Sequence, residues 1–201
     1  MLNLNEVSLQ ETNTSTELLP IPDGTVVRAI INFTGGDEII PEFSNEPIFK
    51  KSQTSSAIYC PMEFTIIGGE HDKRRVWHNL FIHGDKIGNN GVPVAREIGL
   101  RTLRNMVDSA FNLNPDNQSQ EAVNKRNITG IDVLQGQEIC FVVSIEKGTN
   151  GYADRNKVKI VLTPKDNNFL QPTVGAINGN LPPAQAPVQP QNAGVTPQWA
   201  K

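Results

Sequence analysis

One segment of this chain alternates over a full strand length. Ile58, Cys60, Met62, Phe64 and Ile66 are apolar, while Tyr59, Glu63 and Thr65 lie between them. Period-two alternation buries one face and leaves the other to solvent, which commits Ser56–Ile67 to a half-buried strand. A turn carrying His71, Lys73, Arg74 and Arg75 follows, and then a second run, Arg75–His83. Its even positions are Val76, His78, Leu80 and Ile82; its odd positions are Arg75, Trp77, Asn79, Phe81 and His83. If the even set faces the core, Trp77 and Phe81 join Arg75 on the outside, next to Tyr59. In the other register the two rings are core and His78 is exposed, because a one-residue slip exchanges the faces. The sequence leaves both registers open.

The remaining elements follow from the same periodicities. Gly24–Phe33 ("GTVVRAIINF") reads as a strand launched by a Pro-Asp-Gly turn, and residues 34–55 read as irregular. Val92–Leu113 reads as a helix with Pro93 in its first turn. Its apolar stripe is Ala95, Ile98, Leu103, Met106, Val107 and Ala110. Arg96, Arg101, Arg104 and Asp108 fall opposite, with Glu97–Arg101 and Arg104–Asp108 spaced as solvent-side pairs. Gln137–Glu146 is a fourth strand, with Ile139, Phe141, Val143 and Ile145 on one face. After the loop 147–156 comes a fifth strand, "KVKIVLT". It is read with Val158, Ile160 and Leu162 inward and Arg155, Lys157 and Lys159 as an outer basic stripe. Five strands and one helix in the order β-β-β-α-β-β match an OB-fold, a five-stranded barrel with its helix between strands 3 and 4. The expected organisation is an acidic N-terminal segment, 1–18, an OB-fold domain, 19–166, and a disordered Pro-, Asn- and Gln-rich tail, 167–201.

Charge is unevenly spread. Residues 1–49 hold one Arg against eight acids, net −7; residues 50–160 hold 15 cations against 12 acids, net +3; residues 161–201 hold two Lys and one Asp, net +1. The middle block can serve an anionic partner if its cations share a face. No apolar run approaches a membrane span, and the acidic start does not read as a signal peptide. Cys60 and Cys140, both in apolar runs, read as reduced, buried thiols of a cytoplasmic protein.

Catalytic patterns are missing from the sequence. There is no P-loop and no G-x-S-x-G motif. The candidate metal ligands are His71, His78, His83, Cys60 and Cys140. His78 and His83 point to opposite faces of one strand, and the cysteines have opposite parities, so no metal and no cofactor are expected. The reading is a binder and not an enzyme. Unpaired nucleic acid needs cations for its phosphates and aromatic faces for its bases. The candidates are Lys50 and Lys51 at the end of the first long loop, and Tyr59 on the second strand. Lys73, Arg74, Arg75, Trp77 and Phe81 come from the hairpin, and Tyr152, Arg155, Lys157 and Lys159 from the last one. Against this stand an ordinary solvated hairpin tip and a core Trp77.

The run "MEFTIIGGEHDKRRVWHNLFIHG" resembles the central hairpin of a bacteriophage protein family, formerly of unknown function and associated with OB-fold single-stranded DNA-binding proteins. "AREIGLRTLRNMVDSA" resembles the helix that follows there. "LQGQEICFVVSIEKGTNGYADRNKVKIVLTP" resembles its closing hairpin, with the signature G-Y-x-D-x-N-x-[VI]-K. Together the three span residues 56–164. The resemblance implies binding to single-stranded DNA in replication or recombination, without catalysis. The matching positions are Arg75 and Trp77 in one hairpin, and Tyr152, Arg155, Asn156 and Lys159 in the other.

The chain departs from bacterial single-stranded DNA-binding proteins at its end, "GVTPQWAK", where no acidic tip stands. Trp199 is instead the candidate anchor of the tail for a replication or recombination protein. The competing reading is a non-catalytic structural or protein-interaction barrel, such as a virion component. Self-association stays open.

Overall fold

The computed structural model describes residues 19–149 and 151–173. The strands are β1 (Val26–Phe33), β2 (Glu38–Ile40), β3 (Ser44–Lys51), β4 (Ile58–Ile66), β5 (Arg75–His83), β6 (Glu138–Glu146) and β7 (Arg155–Leu162). The helices are α1 (Val94–Ala110) and α2 (Gln120–Arg126), with a 3-10 turn at Ile131–Leu134. All strand pairings are antiparallel. The hydrogen-bonded order is β2-β3-β4-β1-β6-β7, and β5 lies on the other edge of β4. β5 and β7 lie against each other, yet among the described residues no ladder joins them, so the sheet is open there.

The alternation in β4 places Cys60, Met62, Phe64 and Ile66 in the core. Opposite them are Val27, Ala29 and Ile31 of β1, Val76, Leu80 and Ile82 of β5, and Ile139, Phe141 and Val143 of β6. Phe64 and Phe141 meet across the core with ring centroids 5.3 Å apart. β4 also explains its own proline. One of its edges pairs with β1 over Met62–Ile66 and with β3 at Ile58 and Tyr59. Pro61 sits where the partner changes, and its carbonyl accepts the Thr34 N–H at 3.2 Å. The N–H that proline lacks would point into that gap, where no ladder bond is lost.

Several sequence expectations are corrected. Residues 34–55 are not irregular: they contain β2 and β3 and send Phe43, Ile48 and Phe49 into the core. Among the described residues the strands therefore number seven and the α-helices two, α2 lying in a stretch that carries no clear apolar period. The α1 stripe is out of phase by one position at its start. Ile98 is 57% exposed, and Gly99 faces inward instead. A Cβ on Gly99 would lie 1.8 Å from the Phe81 carbonyl oxygen, so only glycine lets α1 cross the backbone of β5 this closely. Asp108 is not on a solvent face. It is fully buried and takes Arg104 at 2.9 Å and Arg126 of α2 at 2.6 Å. Arg126 also donates to the Asn114 and Asn117 carbonyls, closing the polar network.

β7 carries a further correction. Val142 pairs with Ile160 while Val143 pairs with Val158, so Lys159 is the extra residue of a bulge. Beyond it the faces exchange. Val161 enters the core, and Ile160 is 50% exposed. After β7 the chain turns back over the outer face of β6. The Leu170 N–H donates to Cys140 Sγ at 3.4 Å, and Thr173 donates to Glu138 through its N–H and its hydroxyl. Glu138 also pairs with Arg28 at 3.1 Å. Cys140, on the outer side of its strand, is thereby buried.

Among the described residues, no helix is long and apolar enough to cross a membrane. The segment 1–18 and residues 174–201, Trp199 included, lie outside the described residues.

Candidate functional site

The β4–β5 hairpin resolves the register left open by the sequence. Val76, Leu80 and Ile82 are core, and Trp77 and Phe81 point outward at 60% and 40% exposure. The pairings are Tyr59 with Phe81, Pro61 with Asn79, Glu63 with Trp77 and Thr65 with Arg75. Tyr59 and Phe81 form a ring pair, centroids 5.4 Å apart and planes at 46°. One exposed face thus carries Phe81, Asn79, Trp77 and Arg75 in a row, with Tyr59 alongside. Six residue-to-residue steps along the strand make that row roughly 20 Å long.

His78 points the other way, toward Phe64, their rings 6.2 Å apart. Burial lowers its pKa to about 4, so the imidazole is neutral at pH 7. Burial likewise pushes the Cys60 thiol up to about 12 and raises that of Cys140. Neither thiol is a nucleophile in the folded chain. Among the described residues, no group of three His, Cys, Asp or Glu side chains is placed to hold a metal ion.

At the Phe81 end of the row, β3 adds cations. Lys50 pairs with Tyr59 and Lys51 with Ile58. An open cleft of about 450 Å³ lies here, lined by Lys50, Lys51, Tyr59, Asp37, Gln53 and Thr54 among others. Lys51 is engaged by Glu38 at 2.8 Å, while Lys50 has no carboxylate at ion-pair distance among the described residues.

At the other end stands the hairpin tip. Gly68, Gly69 and Lys73 have φ of 72°, 70° and 64°, and Asp72 fixes the turn by accepting the Gly68 N–H at 2.6 Å. Lys73 projects into solvent without an ion-pair partner among the described residues. Arg74 does not: its Nη2 donates to the Leu19 carbonyl at 2.8 Å. Arg75 pairs with Glu63 at 3.4 Å across the ladder.

The last hairpin is more heavily neutralised. Arg155 and Lys157 share one carboxylate, Glu146, and the Arg155 guanidinium holds it below the usual carboxylate range. Lys159 pairs with Asp23 at 3.5 Å and Lys147 with Asp154 at 2.6 Å. Tyr152, 80% exposed, stands on the loop between. In ladder order, β4, β1 and β6 separate β5 from β7, so the rings and this stripe are not on neighbouring strands. Residues 19–21 tie the starts of the two strands together. Arg74 binds the Leu19 carbonyl, and the Asn156 amide exchanges two hydrogen bonds with the Ile21 backbone at 2.8 and 2.9 Å. Leu19 and Ile21 are two residues apart, so the starts of β5 and β7 flank the same stretch of about 7 Å.

The residues gathered most closely are therefore Lys50, Tyr59, Phe81, Trp77 and Arg75. Asn79 belongs with them, since it lies between Trp77 and Phe81 on the exposed side of β5; its odd position in β5 was a usable signal. Asp37, Gln53 and Thr54 come from a segment whose strands the periodicity does not reveal. Comparison with known proteins gives no matching family model and no matching curated relative.

Proposed function

We propose that this chain is a sequence-tolerant single-stranded DNA-binding protein of the OB-fold kind, acting without catalysis in replication or recombination. The observation that carries the reading is Trp77. A large ring on a strand usually turns inward, and here it stands 60% exposed in line with Phe81 and Tyr59. Stacking of a base on such a ring contributes about 1–3 kcal/mol and tolerates any base. Arg75, Lys73, Lys50 and Lys51 lie at the two ends of the row, where the phosphates of a strand laid along it would run. The exposed ion pairs of Arg75 with Glu63 and of Lys51 with Glu38 are worth about 0–1 kcal/mol each and can be exchanged for phosphate.

The strand order β5-β4-β1-β6-β7, with α1 packed on β5, β6 and β7, supports the OB reading, the β2–β3 hairpin being an insertion between its first two strands. In that fold the ligand face is that of strands two and three, here β4 and β5. The resemblance of residues 56–164 to the phage family points the same way.

The test is a titration of labelled oligo-dT and a matched duplex at two salt concentrations, with Trp199→Phe as the background so that emission reports Trp77. The expected result is preference for the single strand, steep weakening with salt, and quenching of Trp77. Binding that ignores salt, or no binding at low ionic strength, overturns the reading in favour of a protein-interaction module.

A further inference from the structure

Across the ladder from Trp77 stands an acid. Glu63 of β4 pairs with Trp77, and Asn32 of β1 pairs with Glu63 beyond it. Cross-strand partners have Cβ atoms about 5 Å apart, so an edge of a base stacked on Trp77 lies within reach of the Glu63 carboxylate. The side chains around that point are committed elsewhere. Asn32 donates to the Thr65 hydroxyl at 3.3 Å and accepts from the Gln135 amide at 3.4 Å. Pro61 brings no polar side chain. Glu63 keeps capacity to spare: Arg75 reaches its Oε2 at 3.4 Å, and Oε1 takes no hydrogen bond among the described residues. The Glu63 side chain is 17% exposed, so water competes there less than on the open surface. Asn79, the next outer residue on β5, offers both a donor and an acceptor and suits any base.

We propose that Glu63 reads guanine in the base stacked on Trp77, giving one position of an otherwise sequence-tolerant face a preference. The inference rests on the nucleic-acid reading of that face and deepens it. An ionised carboxylate only accepts hydrogen bonds. Among the four DNA bases, guanine sets two donors side by side on its Watson–Crick edge, N1–H and the N2 amine, and they match the two oxygens of a carboxylate. Thymine has one donor between two carbonyls. Cytosine and adenine set a ring acceptor beside their amine, and a carboxylate repels it. Arg75 assists: once it turns from Glu63 to a phosphate, both oxygens are open to the base. The same negative charge keeps phosphate off the centre of the row and leaves it to the cations at the ends.

The experiment titrates the full chain with three labelled oligomers of equal length: oligo-dT, oligo-dT carrying isolated guanines, and the same oligomer with inosine at each guanine. Inosine keeps N1–H and lacks the N2 amine. The guanine oligomer is expected to bind about five- to ten-fold more tightly than oligo-dT, and inosine to lose most of that gain. Glu63→Gln, which replaces one acceptor by a donor, is expected to bring the guanine and thymine oligomers within about two-fold of each other, with oligo-dT bound at least as tightly as before. A merely structural Glu63 would shift all three affinities together and leave their ratios alone. Equal binding of guanine and thymine oligomers by the natural chain, inosine that binds like guanine, or a preference kept by Glu63→Gln each overturns the assignment, while binding of oligo-dT leaves the DNA reading standing. The inosine comparison uses the unaltered chain, so it decides the matter whether or not Glu63→Gln folds. If no oligomer binds at low ionic strength, the DNA reading itself fails and the guanine preference with it.

Discussion

Trp77 and Val76 are neighbours in sequence and opposites in environment: one is mostly exposed, the other fully buried. Under the proposed function, that contrast separates binding from stability at the level of single side chains. Trp77→Ala is expected to change unfolding stability by no more than about 1 kcal/mol, as surface substitutions do, and to weaken oligo-dT binding by about five-fold or more. Leu80→Ala, from the inner face of the same strand, is expected to cost about 2–5 kcal/mol in a urea titration. Equal destabilisation by both would remove Trp77 from the surface. His78 gives the inner face a pH dependence. Its folded pKa is about 4, against 6.5 when unexposed to burial. Below 6.5 the unfolded chain takes up a proton that the folded chain refuses, so stability falls as pH drops and the loss is complete near 4. At about 1.4 kcal/mol per pH unit the window contributes on the order of 3 kcal/mol. His78→Leu is expected to flatten this part of the profile; an unchanged slope between pH 6.5 and 4 would show that the imidazole titrates normally.

Elements meet in this molecule through exceptions to their own rules. Gly99 weakens α1 by propensity, yet the helix can cross β5 only there. Gly99→Ala would gain about 1 kcal/mol on an isolated helix. Here it is expected to destabilise by about 2 kcal/mol or more, because the Phe81 backbone must move. A rise in the thermal midpoint would contradict the crossing. The bulge at Lys159 is the second exception: one extra residue turns Val161 inward and frees Ile160. The third is the segment after β7, which shields the Cys140 thiol with Leu170. Both cysteines are expected to resist a maleimide at pH 8 in the native chain, and Leu170→Asp to expose Cys140 alone, read by mass spectrometry of the labelled peptides.

For the whole molecule, the question is how far the cations of β7 share a surface with the rings of β5. The two strands are remote in the ladder and adjacent at the open seam, where Leu19–Ile21 ties their starts together. A strand of DNA laid on the rings reaches Arg155 and Lys157 only by continuing past that end. Lys157→Glu/Lys159→Glu is therefore a test of path. If the path includes them, log affinity against log salt should flatten by about 1.4, the value for two phosphate contacts on a single strand. If affinity and slope stay unchanged, the path ends at the hairpin tip and the β7 stripe serves only its pairs with Glu146 and Asp23.

The sequence alone determined what depends on local period and chain stiffness: five of the strands, the main helix, the turn glycines and the inner set of β4. It could not settle the register of β5, since both alternating sets of that strand contain apolar residues and the choice belongs to the partner strand. It misplaced Ile98, Asp108 and Ile160 for a related reason. Each is assigned by a repeat along its own element, and each is moved by a neighbour: the β5 backbone, the Arg126 side chain, the bulge against β6. Residues 34–55 hid two strands because their buried apolar residues, Phe43, Ile48 and Phe49, follow no single period. Periodicity is a property of one segment, whereas burial is a property of the space between segments, and only the folded chain fixes that space.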